Sequence, residues 1–262
     1  MDLLLVIFLV LAALLFWRRG VVFLFLANRA FLRKDETATL KWFAEAWKLR
    51  QLNANMVASY AYQLLKAGKT DEADQLLSEF AAIGRRGKKP KPADLNLTQS
   101  YQSLVLYNQG RLEEAIELLL ALRAEGYKTT TLYGNLGCFL LEKGDFDLAE
   151  EVCLEALEWA PSGKVILDNY ASLQFKIGNL EKAQEAYEAL LELEPKFPEA
   201  WYGAALVALK LENPETAVEL LEQALTFPFN SLTTISRQTV ESQLAAARLA
   251  EAQLAASSTP SN

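Results

Sequence analysis

The sequence predicts an all-α solenoid of stacked helix–turn–helix pairs, and three regularities predict it. Gly110, Gly144 and Gly178 are spaced by 34 residues. Ala115, Ala149 and Ala183 keep the same interval, with Ala217 one step further, and Pro161 and Pro195 repeat it. A period of this size marks units that cannot bury an apolar face alone and do so against like neighbours. Such arrays present extended surfaces, so the expected function is binding rather than chemistry.

From the N-terminus, Leu3 to Trp17 carries no charge and no strongly polar group, and a second apolar run, Val21 to Ala27, follows Arg18, Arg19 and Gly20. The first run reaches roughly 22 Å as a helix, against a bilayer core of about 30 Å, and flanking arginines can extend to the interface. A cleaved leader fits poorly, because the chain opens Met1-Asp2 and no small-x-small site precedes Arg18. Residues 1–34 are therefore read as an uncleaved membrane anchor with a basic flank. Arg18, Arg19, Arg29, Arg33 and Lys34 all follow the run, which predicts a single pass with the rest of the protein cytoplasmic. Residues 21–32 are expected along the inner interface; a longer tilted span and a tight hairpin are the alternatives.

A helix around Thr37 to Arg50, within a segment 35–53, reads as an N-terminal cap or half repeat. Residues 54–231 hold about five repeats. In the clearest, residues 132–161, Leu136, Leu140 and Leu141 recur at helical spacing, Gly144-Asp145 breaks the helix, and Ala149, Cys153, Ala156 and Leu157 form a second apolar stripe ending at Pro161. Gly68 to Gly110 is 42 residues, and the excess falls in a basic insert at residues 84–94. Residues 232–256 read as a C-terminal capping helix and 257–262 as a tail.

The position-specific residues resemble the tetratricopeptide repeat family, and the N-terminal run resembles its membrane-anchored bacterial-type members. One unit supplies Tyr133, Leu136-Gly137, Leu140, Ala149, Cys153, Ala156 and Pro161; the next supplies Leu167, Tyr170-Ala171, Gln174, Ala183, Tyr187, Leu190 and Pro195. Gln174 and Cys153 depart from the usual types, and Glu212 stands where the turn glycine belongs. The resemblance implies a right-handed superhelix whose first helices line a concave groove for a peptide or partner helix. Mapped onto this chain, groove positions include Tyr62, Tyr101, Asn135, Cys138, Asp168, Asn169, Ser172, Glu199 and Tyr202. Asn135 and Asn169 hold one place in consecutive repeats, where an amide can donate to and accept from a peptide backbone. The lysine–asparagine–arginine clamp of chaperone-binding members is missing from these positions.

Charge divides the chain. Residues 1–110 hold 15 basic and 9 acidic residues, and the remainder 11 and 24. Arg85, Arg86, Lys88 and Lys89 form either a solvated loop or, with the N-terminal basic residues, a contact to anionic headgroups; no aromatic platform accompanies them, so nucleic acid is not expected. The acidic residues on second helices, Glu150, Glu151, Glu155, Glu158, Glu185, Glu188, Glu192 and Glu194, read as a solvated face or a surface for a basic partner. There is no histidine, the two cysteines have no metal spacing, and no phosphate loop or nucleophile elbow occurs. No catalytic residue, metal, cofactor or small-molecule substrate is expected. The functional expectation is a membrane-tethered interaction scaffold, with an accessory subunit docked through its N-terminal helix as the alternative.

Overall fold

The computed structural model describes residues 5–7, 19–85 and 87–258. Beyond a helical turn at residues 5–7, thirteen helices follow: α1 (Arg19–Leu32), α2 (Glu36–Lys48), α3 (Ala54–Lys66), α4 (Thr70–Ile83), α5 (Pro92–Asn108), α6 (Leu112–Ala124), α7 (Thr130–Lys143), α8 (Phe146–Trp159), α9 (Lys164–Lys176), α10 (Leu180–Glu192), α11 (Pro198–Lys210), α12 (Pro214–Leu225) and α13 (Arg237–Ser258). The β character among the described residues is one isolated bridge between Arg85 and Lys88. The chain divides into two compact units at Arg111.

In the first unit, α1 lies along α2 on its small residues: Gly20, Ala27 and Ala30 are buried, and Phe23 stacks on Trp42 at 5.7 Å. The larger side chains point away, leaving Val21, Phe25 and Leu32 60%, 64% and 73% exposed. Asp35 starts α2 by accepting the Ala38 N–H at 2.9 Å, and Asn53 starts α3 by accepting that of Met56 at 3.0 Å. Val57, Ala61, Leu64 and Leu65 of α3 and Ala73, Leu76, Leu77 and Phe80 of α4 are buried. The three-residue link between these helices leaves them no course but to reverse and pack on each other. Phe43 stacks on Tyr60 at 5.3 Å and joins α2 to this pair; Gln102 of α5 donates to Asp74 of α4 at 2.7 Å.

The second unit stacks the pairs α7/α8, α9/α10 and α11/α12. Each pair turns through a left-handed residue at the same place: Gly144 (φ 83°), Gly178 (φ 87°) and Glu212 (φ 60°). The backbone thus keeps the turn where the glycine is lost, at a cost of roughly 1 kcal/mol for the side chain in that region. One turn further, Ala149, Ala183 and Ala217 are all 0% exposed. A small side chain lets the paired helices approach closely at this contact, which accounts for the alanine repeating with the period.

The pairs are also joined by polar contacts. Arg123 of α6 donates to Glu155 (2.8 Å) and Glu151 (2.6 Å) of α8, and the buried Tyr133 of α7 donates to the other Glu155 oxygen at 2.6 Å. Lys128 joins that oxygen at 3.0 Å. Glu151 and Glu155 therefore clamp adjacent helices rather than only solvating a face. The burial of Glu155 opposes its charge, but the hydrogen bonds from Tyr133, Lys128 and Arg123 outweigh it and hold the carboxyl at about 2. Gln174, the polar departure in the repeat pattern, is 0% exposed and satisfied, donating to Glu150 at 3.2 Å and accepting from Asn179 at 3.0 Å.

Three boundaries differ from the sequence reading. The C-terminal cap begins at Arg237, because Ser236 accepts the Thr239 N–H at 3.0 Å and fixes the start there, and it continues through Ser258 into the expected tail. Its Val240, Leu244 and Ala247 close the apolar face of Ala205, Ala208, Ala217, Leu221 and Ala224. The basic insert shortens to residues 84–91, since Pro92 opens α5 and Asp94 accepts the Lys91 N–H at 3.2 Å. Residues 21–32 belong to α1, whose 14 residues span roughly 21 Å. Among the described residues no helix is long and apolar enough to cross a membrane. The expected anchor, Leu3 to Trp17, lies largely outside the described residues, as do Arg18 and Arg86.

Candidate functional site

In the second unit the first helices of successive pairs share a face. Asn169 of α9 donates to the Gly134 carbonyl of α7 at 2.7 Å and is 5% exposed. A Cβ on Gly134 would meet Val165, and one on Gly137 would come within 2.8 Å of the Asn169 amide nitrogen. The two glycines let α7 and α9 approach until the Asn169 amide reaches backbone across the seam. That donor is committed to the stack, not to a ligand as the sequence reading had it. Asn135, at the equivalent place one repeat earlier, is half-buried.

Toward α11 the seam is polar. Ser172 of α9 and Tyr187 of α10 share a hydrogen bond of 2.8 Å between their hydroxyls, and Tyr187 is buried. A Cβ on Gly203 would collide with the Tyr187 hydroxyl. Gly203 therefore opens the space into which Tyr187 reaches. The sequence offered a signal for it, a glycine in a helix interior where alanine is favoured by about 1 kcal/mol, but the spacing pattern did not single it out.

Asp168 sits one turn before Ser172. It is half-buried as a residue, yet its Oδ1 is sealed from solvent and has no hydrogen-bond partner. Burial, reinforced by the negative charge of Glu199 on α11, pushes its carboxyl up to about 8. Glu199 is itself raised by burial, although it accepts the Thr234 N–H at 2.9 Å. Cys138 of α7 stands near both, and burial followed by the charges of Asp168, Glu142 and Glu199 pushes its thiol up to about 12. Cys153 is buried and likewise raised by desolvation to about 12. Both are thiols at neutral pH, the form that packs rather than attacks. Tyr202 is half-buried, with its hydroxyl raised by desolvation.

In the first unit, Tyr62 and Tyr101 meet edge to face at 6.3 Å, with Tyr62 40% exposed. A cleft of about 520 Å³ opens between α1, α2 and α3; Leu24, Phe31, Phe43 and Met56 supply apolar walls, and Asn28, Asn55, Ser59 and Gln63 supply uncharged polar groups. Arg29, Arg33, Lys34, Arg85, Lys88 and Lys89 are exposed, and Arg19 is half-buried. Among the described residues no three His, Cys, Asp or Glu gather to hold a metal ion.

Residues 102–164 and 171–231 match the sequence model of the tetratricopeptide repeat. These two stretches, together a little under half of the chain, are similar to tetratricopeptide repeats. A curated relative, the mouse (Mus musculus) N-alpha-acetyltransferase 16, NatA auxiliary subunit, is 30% identical over 136 residues, covering 51% of this chain and 16% of that protein. The chain thus spans only a small part of that relative's length. Among solved structures, the APC/C hetero-tetramer Cut9–Hcn1 superposes with a TM-score of 0.66 at 17% identity, covering 87% of this chain and 42% of that one. A thermophilic tetratricopeptide protein of Thermus thermophilus gives 0.58 at 17% identity, covering 75% and 99%. At such identities the likeness is one of fold. Within the second matched stretch Ser172 and Tyr202 lie on first helices, as does Asp168 in the gap between the two stretches, whereas Tyr187 reaches the same seam from a second helix.

Proposed function

We propose that the chain is an interaction scaffold that receives a peptide or partner helix on the first-helix face of its repeats and is held at a membrane by its N-terminal segment. The observation that carries the binding half is the seam of α7, α9 and α11, where a half-buried carboxyl with an unpartnered oxygen, a hydroxyl pair and a tyrosine line a shared face. Catalysis finds no support there: the thiols are protonated and no nucleophile is paired with a base. The relatives' descriptions as an auxiliary subunit and as part of a hetero-tetramer agree with a role in assembly.

The tether rests on the uncharged run from Leu3 to Trp17, on the basic residues after it, and on α1, which turns Val21, Phe25 and Leu32 outward beside exposed Arg29 and Arg33. An apolar face edged by arginines suits an anionic bilayer surface, and the positive flank supports a cytoplasmic side for the repeats. Tethering raises the local concentration of the bound protein beside membrane partners.

Photo-reactive residues placed in the full chain at Ser172 and Tyr202, and separately at Glu188 on a second helix, test the binding face in cells. Adducts to a defined partner are expected from the first two positions. Adducts equal at all three, or confined to Glu188, would contradict the assignment.

A further inference from the structure

A cluster of cations in the first unit has no counter-charge. Arg85, Lys88, Lys89 and Lys91, in the connection between α4 and α5, are exposed and form no ion pair among the described residues. No acidic residue lies between Gly84 and Ala93, and Asp94 beyond them already accepts the Lys91 N–H at 3.2 Å. By contrast, Lys48, Lys69 and Arg50 of the same unit are paired with Glu45, Glu72 and Glu79. The connection is also shaped. The Lys88 N–H donates to the Arg85 carbonyl at 3.0 Å and closes a turn. Gly84 is buried at φ 67°, where a Cβ would collide with the Lys88 carbonyl. The basic side chains are thus presented by a formed turn rather than by a slack linker.

A chain of contacts places this loop at the end of the unit where the N-terminal segment enters. Residues 33–35 join α1 to α2 and residues 67–69 join α3 to α4, so both pairs reverse at one end. The start of α1, the α2–α3 connection and the α4–α5 connection fall at the opposite end. Side-chain contacts agree. A Cβ on Gly20, at the start of α1, would collide with Gln51 of the α2–α3 connection. Its neighbour Arg50 reaches Glu79 at 2.9 Å, one turn before α4 runs into the basic loop. The uncharged run from Leu3 to Trp17 precedes α1 and so meets the unit at this end.

We infer that the α4–α5 loop is a contact for anionic lipid headgroups, a second, electrostatic attachment beside the N-terminal segment. This rests on the membrane-tethered reading and adds the lipid chemistry it selects. Exposed cations on a turn are drawn to a charged surface while keeping their hydration, and each one near an anionic bilayer strengthens attachment about fivefold. The loop has no aromatic side chain on which a base could stack, so nucleic acid is the poorer partner. Two attachments at one end fix the orientation of the first unit on the bilayer, which a single tether leaves free.

The test reconstitutes the full chain in nanodiscs of phosphatidylcholine, alone or with added phosphatidylglycerol, and follows acylation of individual lysines by mass spectrometry. Lys88, Lys89 and Lys91 are expected to react at least about fivefold more slowly on the anionic discs. Lys182 of the second unit, exposed and without an ion pair, should react equally on both. The protection should fade as salt is raised. In the double variant Arg85→Gln, Lys88→Gln it should shrink at Lys89 and Lys91, with the helical circular dichroism unchanged. Equal reactivity of the loop lysines on both discs, in a chain that co-purifies with them, would overturn the inference and leave the tether. Protection by an added oligonucleotide but not by phosphatidylglycerol would overturn it in favour of nucleic acid. Failure of the chain to enter either disc would remove the tether reading and the inference together.

Discussion

Placing a methyl on residue 203 is expected to destabilise the second unit by about 3 kcal/mol. Gly203 faces the ring of Tyr187, and a Cβ there would collide with the hydroxyl and lie within 2.9 Å of the ring's Cε1. Tyr187 is 3% exposed and packed among Leu167, Ala171, Ala183, Leu190 and Ala204, so its ring has no free direction in which to move. Either the ring shifts and the Ser172 hydrogen bond breaks, or α11 moves away from α10 and opens the core between two repeats. Overpacking costs typically 1–3 kcal/mol, and a buried hydroxyl stripped of its partner adds about 1–3 kcal/mol. Urea unfolding of Gly203→Ala measures the loss. Tyr187→Leu should itself destabilise, but the double variant should cost clearly less than the sum, because the methyl then enters space the ring has vacated. Additive losses would show that the two residues do not touch.

Neutralising Glu155 is expected to cost nearly as much at neutral pH and almost nothing in strong acid. Its carboxyl falls from an ordinary value of 4.5 to about 2 in the folded protein. A depressed folded value means the carboxylate contributes stability above pH 4.5 and loses it progressively as pH falls toward 2. The shift corresponds to about 3 kcal/mol at full ionisation. The Glu155 side chain is 25% exposed and Arg123 21%, so screening removes only part of this. The difference in unfolding free energy between wild type and Glu155→Gln, followed from pH 7 to pH 3, isolates this group from the other carboxylates. A difference independent of pH would mean that glutamine fails for reasons of shape and that the Arg123–Glu155–Tyr133 network carries little charge energy.

The parts of the fold that repeat were legible in the sequence. Ala149, Ala183 and Ala217 announced the tight contact between paired helices, and the helix break at Gly144 announced a left-handed turn; each constraint is local and recurs at every period. Glu212 was legible as a departure, and the backbone around it shows that tertiary packing imposes the turn whether or not glycine is present. What depends on contact between repeats was harder to read. Asn169 was assigned to a ligand because its position lies on a first helix; its true direction is set by the bare backbone of Gly134 and Gly137 across the seam. Glu155 belonged to an acidic run of uniform appearance, and only the arrival of Arg123 from a residue 32 positions earlier distinguishes it. In α1, where nearly every residue is apolar, periodicity carries no information about which side packs. The choice falls to Ala27 and Ala30, because small residues permit the closest approach to α2.

Binding on the first-helix face requires that α7, α9 and α11 meet the partner. Hydrogen–deuterium exchange of the full chain, with and without a peptide selected by it, measures this directly. Slowed exchange is predicted along α7, α9 and α11, centred on the turns that carry Cys138, Asp168 to Ser172, and Glu199 to Tyr202, with α8, α10 and α12 unchanged. Protection confined to the second helices, or a bound peptide that protects none of the first, would contradict it.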